Sequence, residues 1–320
     1  TNPQSSKSWI YKYFAEGATV TQVSDPEYGD WEHSIKYVDD AKTICYRRIV
    51  APTSQNRKNL PPGYIENMQH QYSEDYYLVN VLGQDGDYTT GLVCKNWSDL
   101  GNLQDVKYNS SLTLYLSCDF NIDPNCWVVA HRLAGGEYHF IDEICLENKT
   151  TIETAEEFYR RYGKHGRGVV VTGDASGKNR NTKAESALVN DFTIIRNRLS
   201  GLGMRDVTLD VMRANPAETT RVETWNNMLC NSMGVRRIKV NPKCKWLVWN
   251  MHNLRYHDGG NVIAEPSRRM IEQDASKTLK YTKHIFDAAS YLVYRYDPIT
   301  KDAPKRTGTE VVTVRYKANA

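Results

Sequence analysis

The sequence predicts an α/β domain whose sheet begins with three antiparallel strands and continues with parallel ones, flanked by helices and preceded by a less regular segment. Three observations carry this. Leu112, Leu114, Leu116 and Cys118 alternate with polar or aromatic residues, the period of a half-buried strand. Two more strand-like runs, Cys126–Leu133 and Glu137–Leu146, flank Ala134-Gly135-Gly136, a hairpin turn, so the first three strands run antiparallel. Beyond them helical and strand patterns take turns, as in a sheet built by crossovers.

The elements follow in order. Residues 1–85 open with an Asn2-Pro3 turn and an aromatic stretch, Trp9–Phe14. After a polar, acidic region comes a strand-like run, Thr43–Ala51. Asn59-Leu60-Pro61-Pro62-Gly63 then leads into a helix over Tyr64–Tyr72, with proline just ahead of its first turn. Gly83–Tyr108 shows no sustained period, which places a linker at residues 86–108. The main domain takes residues 109–300, and 301–320 form a tail. Past the hairpin, Thr150 and Glu153 make a capping box for a helix with Ile152, Ala155, Tyr159 and Tyr162 on one face, ended by Gly163. Gly168–Thr172 is a continuous β-branched run, expected of a strand buried on both faces. Leu188, Phe192, Ile195, Leu199 and Leu202 mark a second helix, followed by a strand over Val207–Met212. Thr220 and Glu223 are read as the cap of a third helix ending near Gly234, and Arg236–Val240 as a strand. The last helix carries Ile285, Ala289, Leu292 and Tyr296 on its apolar side.

Three aspartates stand where a carboxylate does nothing for a core. Asp119 closes the first strand, Asp174 closes Gly168–Gly173, and Asp287 interrupts the last helix. In such a sheet the fourth strand packs parallel to the first through a right-handed crossover, so Asp119 and Asp174 meet at adjacent carboxyl ends, where open α/β sheets place ligands. Carboxylates held together repel unless a cation neutralises them. Hard divalent ions take carboxylate oxygens, and two ions ~4 Å apart can hold the attacking and leaving oxygens of a phosphodiester. Each acid alone has a plainer reading: a turn former for Asp119 and Asp174, a solvent-facing helix residue for Asp287. Together they favour a metal site. His284 shares a helical face with Asp287 and either orients water or a ligand or is structural.

Composition removes several classes. Seven cysteines, odd in number and without a CxxC pair, speak against a disulfide framework and for a reducing cytoplasm. Cys230, Cys244, His252 and His257 are spaced too widely for a zinc finger. No apolar run reaches ~18 residues, so no membrane span is expected. Gly173–Asn179 imitates a phosphate loop, but its glycines are four apart and Asn179 stands where Ser or Thr would hold magnesium, so ATP hydrolysis by this chain alone is not expected.

The net charge of +3 decides nothing, whereas its distribution points to nucleic acid. Asn231–Tyr256 holds Arg236, Arg237, Lys239, Lys243, Lys245 and Arg255 with no acid, interleaved with Trp246, Trp249 and Tyr256. Lys178, Arg180 and Lys183 follow Asp174 directly. These are the candidate phosphate contacts.

From about Leu112 to Tyr296 the chain resembles the C-terminal nuclease domain of large terminase subunits, the DNA-packaging motors of tailed bacteriophages, which have an RNase H-like fold. The pieces that carry the resemblance are CDFNIDP with the hairpin and FIDE, VVVTGDASGKNR, RANPAETTRVETWNNMLCNSMGVRRIKVNP and KHIFDAASY. TNPQSSKSWIYKYF and NRKNLPPGYIENMQHQYSEDYYLVNVLG resemble the closing part of the family's P-loop ATPase domain. The family's phosphate loop and acidic metal strand would lie ahead of Thr1. The resemblance implies that Asp119, Asp174 and Asp287 bind two Mg²⁺ or Mn²⁺ ions. It further implies cutting of concatemeric double-stranded DNA in the host cytoplasm at the procapsid, with the small terminase subunit and portal protein as partners and a ring homo-oligomer on the portal. Two alternatives remain open: another RNase H-like nuclease of resolvase or transposase type, and a DNA-gripping motor module that no longer cuts.

Overall fold

The computed structural model describes residues 91–178 apart from residue 122, then 190–257 and 262–299. Ahead of these it describes most of residues 17–72, with residues 14, 77, 78 and 81–83. The expected aromatic opening up to residue 13, Leu188 and the 301–320 tail lie outside the described residues.

An antiparallel three-stranded sheet comes first: β1 (Thr19–Val23), β2 (Trp31–Tyr37) and β3 (Cys45–Val50), in that order. Only β3 was expected. β1 is almost wholly exposed and shows no alternation, whereas β2 does alternate, with Trp31, Ile35 and Tyr37 on one face, a signal not singled out from sequence. Helix α1 (Tyr64–Gln71) follows, its entry made by Gly63 at φ +74°.

The stretch expected as a linker is built into the structure from residue 91 onward. It contains a single helical turn, α2 (Asp99–Asn102), and fully buried Val93 and Cys94. Asn96 Nδ2 donates to the carbonyls of Asn226 (3.1 Å) and Cys230 (2.8 Å), and buried Asn102 Nδ2 donates to those of Leu229 and Ile238. Amide side chains pin this segment to distant backbone, a kind of order that leaves no period in sequence.

The main sheet is formed by β4 (Leu114–Asp119), β5 (Asn125–Arg132) and β6 (Tyr138–Leu146), each antiparallel to the next, and by three strands added at the edges. After α3 (Thr151–Tyr162), strand β7 (Val169–Gly173) pairs parallel with β4; after α4 (Asp191–Gly201), β8 (Val207–Leu209) pairs parallel with β7. Helix α5 (Glu218–Leu229) leads to β9 (Ile238–Val240), parallel to β6 at the other edge. The order β8-β7-β4-β5-β6-β9 is the RNase H-like mixed sheet that was expected, with the expected strand at Arg236–Val240 appearing as β9 at the edge beside β6. Helices α6 (Lys245–Asn253), α7 (Arg268–Gln273) and α8 (His284–Tyr296) are the last among the described residues. Among the described residues no helix is long and apolar enough to cross a membrane.

Period-two alternation decides which face each side chain serves. Leu114, Leu116, Cys118, Trp127 and Val129 pack with α3 and α4, whereas Cys126, Val128, Ala130 and Phe140 pack with α5, α6 and α8. Asp119 therefore belongs to the α8 side, and the Ser117 hydroxyl two residues earlier donates to the Ala288 carbonyl at 2.6 Å.

The capping box of α3 forms as expected, with Glu153 N donating to Thr150 Oγ1 and Thr150 N to Glu153 Oε2. Thr220 and Glu223 do not cap α5; it starts at Glu218 after Ala217 without a side-chain cap, just beyond Pro216. Helix α6 was not expected at all. Cys244 supplies no cap, and Glu143 on β6 does so instead, accepting from Trp246 N (2.8 Å) and Leu247 N (2.9 Å). A cap lent from a hundred residues away has no local signature.

Candidate metal centre

The close approach of β4 and β7 depends on one glycine. Gly173 takes φ +136°, and a Cβ there would lie 2.1 Å from the Cys118 carbonyl oxygen and 2.5 Å from its amide nitrogen. With hydrogen there instead, Asp174 N donates to Cys118 O at 2.9 Å, so Asp174 is tied to the residue just before Asp119. Helix α8 crosses the same face and presents His284 and Asp287 in its first turn. Its entry residue Lys283 adopts φ +74°, held by Lys283 N donating to Asn250 Oδ1 (2.7 Å) and by ion pairs with Glu218 and Glu265. An ordinary residue at positive φ is strained and persists where its surroundings over-determine it.

Each acid has partners. Asp119 is 5 % exposed; its Oδ2 accepts from Asn121 Nδ2 at 2.5 Å and lies 3.3 Å from His284 Nδ1. Asn121 Nδ2 is also 2.8 Å from His284 Nδ1. Asp174 Oδ1 accepts from Asn215 Nδ2 (2.6 Å) and from its own turn at Ser176 N (2.7 Å). Asp287 Oδ1 accepts from the buried Arg221 at 2.6 Å. Burial pushes the Asp119 carboxyl up, the charge of Asp174 adds to this, and His284 and Arg221 oppose it. Asp287 is pushed up to about 6, first by burial, against the pull of Arg221 and with a push from Asp119. The nearby Tyr291 hydroxyl is raised by burial and feels all three carboxylates and Arg221. The four expected residues thus converge at one end of the sheet.

They do not close around a single point. Among the described residues no three His, Cys, Asp or Glu side chains gather tightly enough to hold one ion. Asp287 is engaged by Arg221 and Asp174 by Asn215. The donor set still fits a hard divalent cation: it is oxygen-rich, and it contains a buried carboxylate raised by desolvation and by a second carboxylate beside it. Asp119 and Asp174 would hold such an ion, with Asp287 on the flank. Asn121, Asn215 and Arg221 were not singled out from sequence. Asn121 lies two residues from Asp119, but Arg221 reads as an ordinary solvent-facing helix arginine.

The expected phosphate contacts divide. Lys178 Nζ donates to the carbonyls of Val211 (3.0 Å) and Met212 (2.8 Å), and Arg180 and Lys183 lie outside the described residues. Arg236 Nη1 donates to Asn96 O (2.9 Å) and Asn102 Oδ1 (2.8 Å), and Lys239 Nζ to Gly101 O (2.9 Å). Both therefore hold the 96–102 segment rather than project as free charges. Arg236 and Arg237 also precede β9, which pairs with the first residues of β6, the end remote from Asp119. Lys243 and Lys245 remain at the surface. Lys243 is 54 % exposed and 3.7 Å from Asp142, and Lys245 lies over the Trp246 ring.

No family model matches the chain, and no curated protein matches it. Solved structures do. The large terminase of a thermophilic bacteriophage, in complex with ADP, superposes with a TM-score of 0.52 at 15 % identity, over 92 % of this chain and 60 % of that one. The same terminase in complex with ATP-gamma-S gives 0.51 at 15 % identity, over 92 % and 61 %. The fold is similar to that of part of a phage large terminase. The chain spans about three fifths of the thermophilic phage's terminase in these two complexes. The P22 large terminase nuclease domain overlaps 62 % of this chain at 9 % identity with a TM-score of 0.40, too loose to weigh.

Proposed function

We propose that this chain is the nuclease-bearing part of a viral DNA-packaging terminase, cutting concatemeric double-stranded DNA with Mg²⁺ or Mn²⁺, and that residues 1–85 are the closing part of its ATPase domain. The observation that carries this is the pair Asp119 and Asp174 at adjacent parallel strand ends, with Asp287 and His284 on the helix above, in a terminase-like fold.

Bound divalent ions would activate water and stabilise the charge of the leaving 3′ oxygen. The protein's own contribution is placement. Gly173 brings the two strand ends into contact, and Asn121 and Asn215 orient the Asp119 and Asp174 oxygens. The buried Asp119 carboxylate gives up little hydration when a cation arrives, because folding has already removed it. His284, within 3.3 Å of Asp119, can hold or take a proton beside that carboxylate. Lys243 and Lys245 offer positive charge for the backbone. On this reading the partners are double-stranded DNA, a small terminase subunit and a portal protein, in a ring on the procapsid in the host cytoplasm. ATP would be turned over only by a chain that carries a phosphate loop.

The test is plasmid cutting by the purified chain with Mn²⁺. Asp119→Asn and Asp174→Asn should each abolish cutting while circular dichroism and melting remain parental. A variant that cuts at the parental rate would displace the assigned site. DNA binding without cutting by the parent would favour a gripping module.

A further inference from the structure

The acidic site contains a cation of its own. Arg221 on α5 is only 3 % exposed, far below what an unpaired arginine tolerates. Its Nη1 donates to Asp287 Oδ1 at 2.6 Å and to the Ser290 hydroxyl, and its guanidinium carbon stands 4.2 Å from the Tyr291 ring centre and 5.7 Å from that of Phe286. The field of this arginine reaches Asp119 as well as Asp287. A guanidinium cannot shed its charge by losing a proton at any ordinary pH, so this positive charge is permanent. We propose that Arg221 is a resident counter-cation that holds Asp287 oriented without metal and competes with a divalent ion for that carboxylate. The expected ions would then be held unequally: Asp119 and Asp174 would take one first, and a second that uses Asp287 would have to displace or share the arginine's hydrogen bond. This rests on the metal-dependent reading of the site. Arg221 acts as a positioning residue, because it reaches the reacting atoms only through Asp287.

The alternative is a purely structural tie between α5 and α8. Stability alone does not separate the two, since removing either partner of a buried ion pair weakens a fold. Metal stoichiometry and affinity do. Mn²⁺ alone, without DNA, is titrated by calorimetry into the full chain and into Arg221→Gln, Arg221→Lys and Asp287→Asn, with melting followed at each Mn²⁺ concentration. The parent should bind in two unequal steps. In Arg221→Gln the weaker step should tighten by about tenfold or more, within the usual range of coupling between sites. Mn²⁺ should also raise the melting temperature of that variant more than that of the parent. Arg221→Lys, which keeps the charge, should leave the second step weak. Asp287→Asn should lose the weak step and keep the strong one, which preserves the test if Arg221→Gln does not fold. Identical Mn²⁺ isotherms for the parent and a folded Arg221→Gln would overturn the proposal and leave a structural tie. Loss of both steps together in a folded Asp287→Asn would overturn it too. A folded parent that binds no Mn²⁺ would overturn both this inference and the metal reading, a result recognisably different from the other two.

Discussion

Replacing Gly173 by alanine perturbs the closest backbone approach in the site. The added Cβ would sit 2.1 Å from Cys118 O, and an ordinary contact requires the ends of β4 and β7 to part by roughly 1 Å. Such overpacking costs about 1–3 kcal/mol. An alanine held at φ +136° adds about 1–3 kcal/mol of backbone strain. Loss of the 2.9 Å bond from Asp174 N to Cys118 O removes about 1 kcal/mol more. A total near 3–7 kcal/mol corresponds to a fall in melting temperature of about 6–28 °C for a domain of this size. Gly135→Ala is the control. Gly135 also has positive φ (+90°), but an added Cβ would meet nothing within 4 Å, so only the strain, about 1 kcal/mol, should appear. Differential melting of the two variants isolates the contact. Amide exchange at Asp174 should accelerate in Gly173→Ala, and plasmid cutting should fall even at temperatures where the variant is folded. Equal melting of the two variants, with cutting retained, would refute the argument that this glycine brings the acids together.

Four further outcomes are expected. Lys243→Glu with Lys245→Glu should weaken duplex binding for unrelated sequences and lower the slope of log affinity against log salt by about 0.9 per lost phosphate contact. Arg236→Ala should instead lower the melting temperature and leave that slope unchanged, because its guanidinium is spent on Asn96 and Asn102. A chain started at residue 91 should keep the melting of the main domain. One started at residue 109 should not fold, since it lacks buried Val93, Cys94 and Asn102, the first worth about 1.5–3 kcal/mol alone; equal melting of the two would refute this. Burial pushes Glu143 up to about 7 against an ordinary 4.5, so the folded state keeps this proton where the unfolded chain has released it. Its contribution to stability is therefore greatest below pH 4.5 and declines as pH rises to about 7, by roughly 3 kcal/mol at most. Glu143→Gln, although it loses one of the two backbone caps on α6, should show a correspondingly flatter decline in denaturant melts across that window.

What could be seen in the sequence was whatever repeats locally. The alternation in Leu112–Cys118, the Thr150–Glu153 cap and the β-branched run before Gly173 each became the expected element. From them the parallel pairing of β4 with β7 followed by topology, and with it the meeting of Asp119 and Asp174. Hidden from sequence were features made by long-range partners. Helix α6 is capped by Glu143, residues 91–108 are held by asparagine amides, and Arg221 is buried only because α8 covers it. The basic stretch was legible as charge but not as function, because Arg236 and Lys239 find their acceptors more than a hundred residues away.

The bond from the Ser117 hydroxyl to the Ala288 carbonyl joins residues 171 apart, and it marks where the third acid is delivered. During synthesis the strands bearing Asp119 and Asp174 leave the ribosome long before α8 does. On the proposed reading, a nascent chain carries two of its acids while the third is still being made. Cutting power is then withheld until translation has passed Asp287 and α8 has docked on the sheet. Timing of this kind would need no inhibitor.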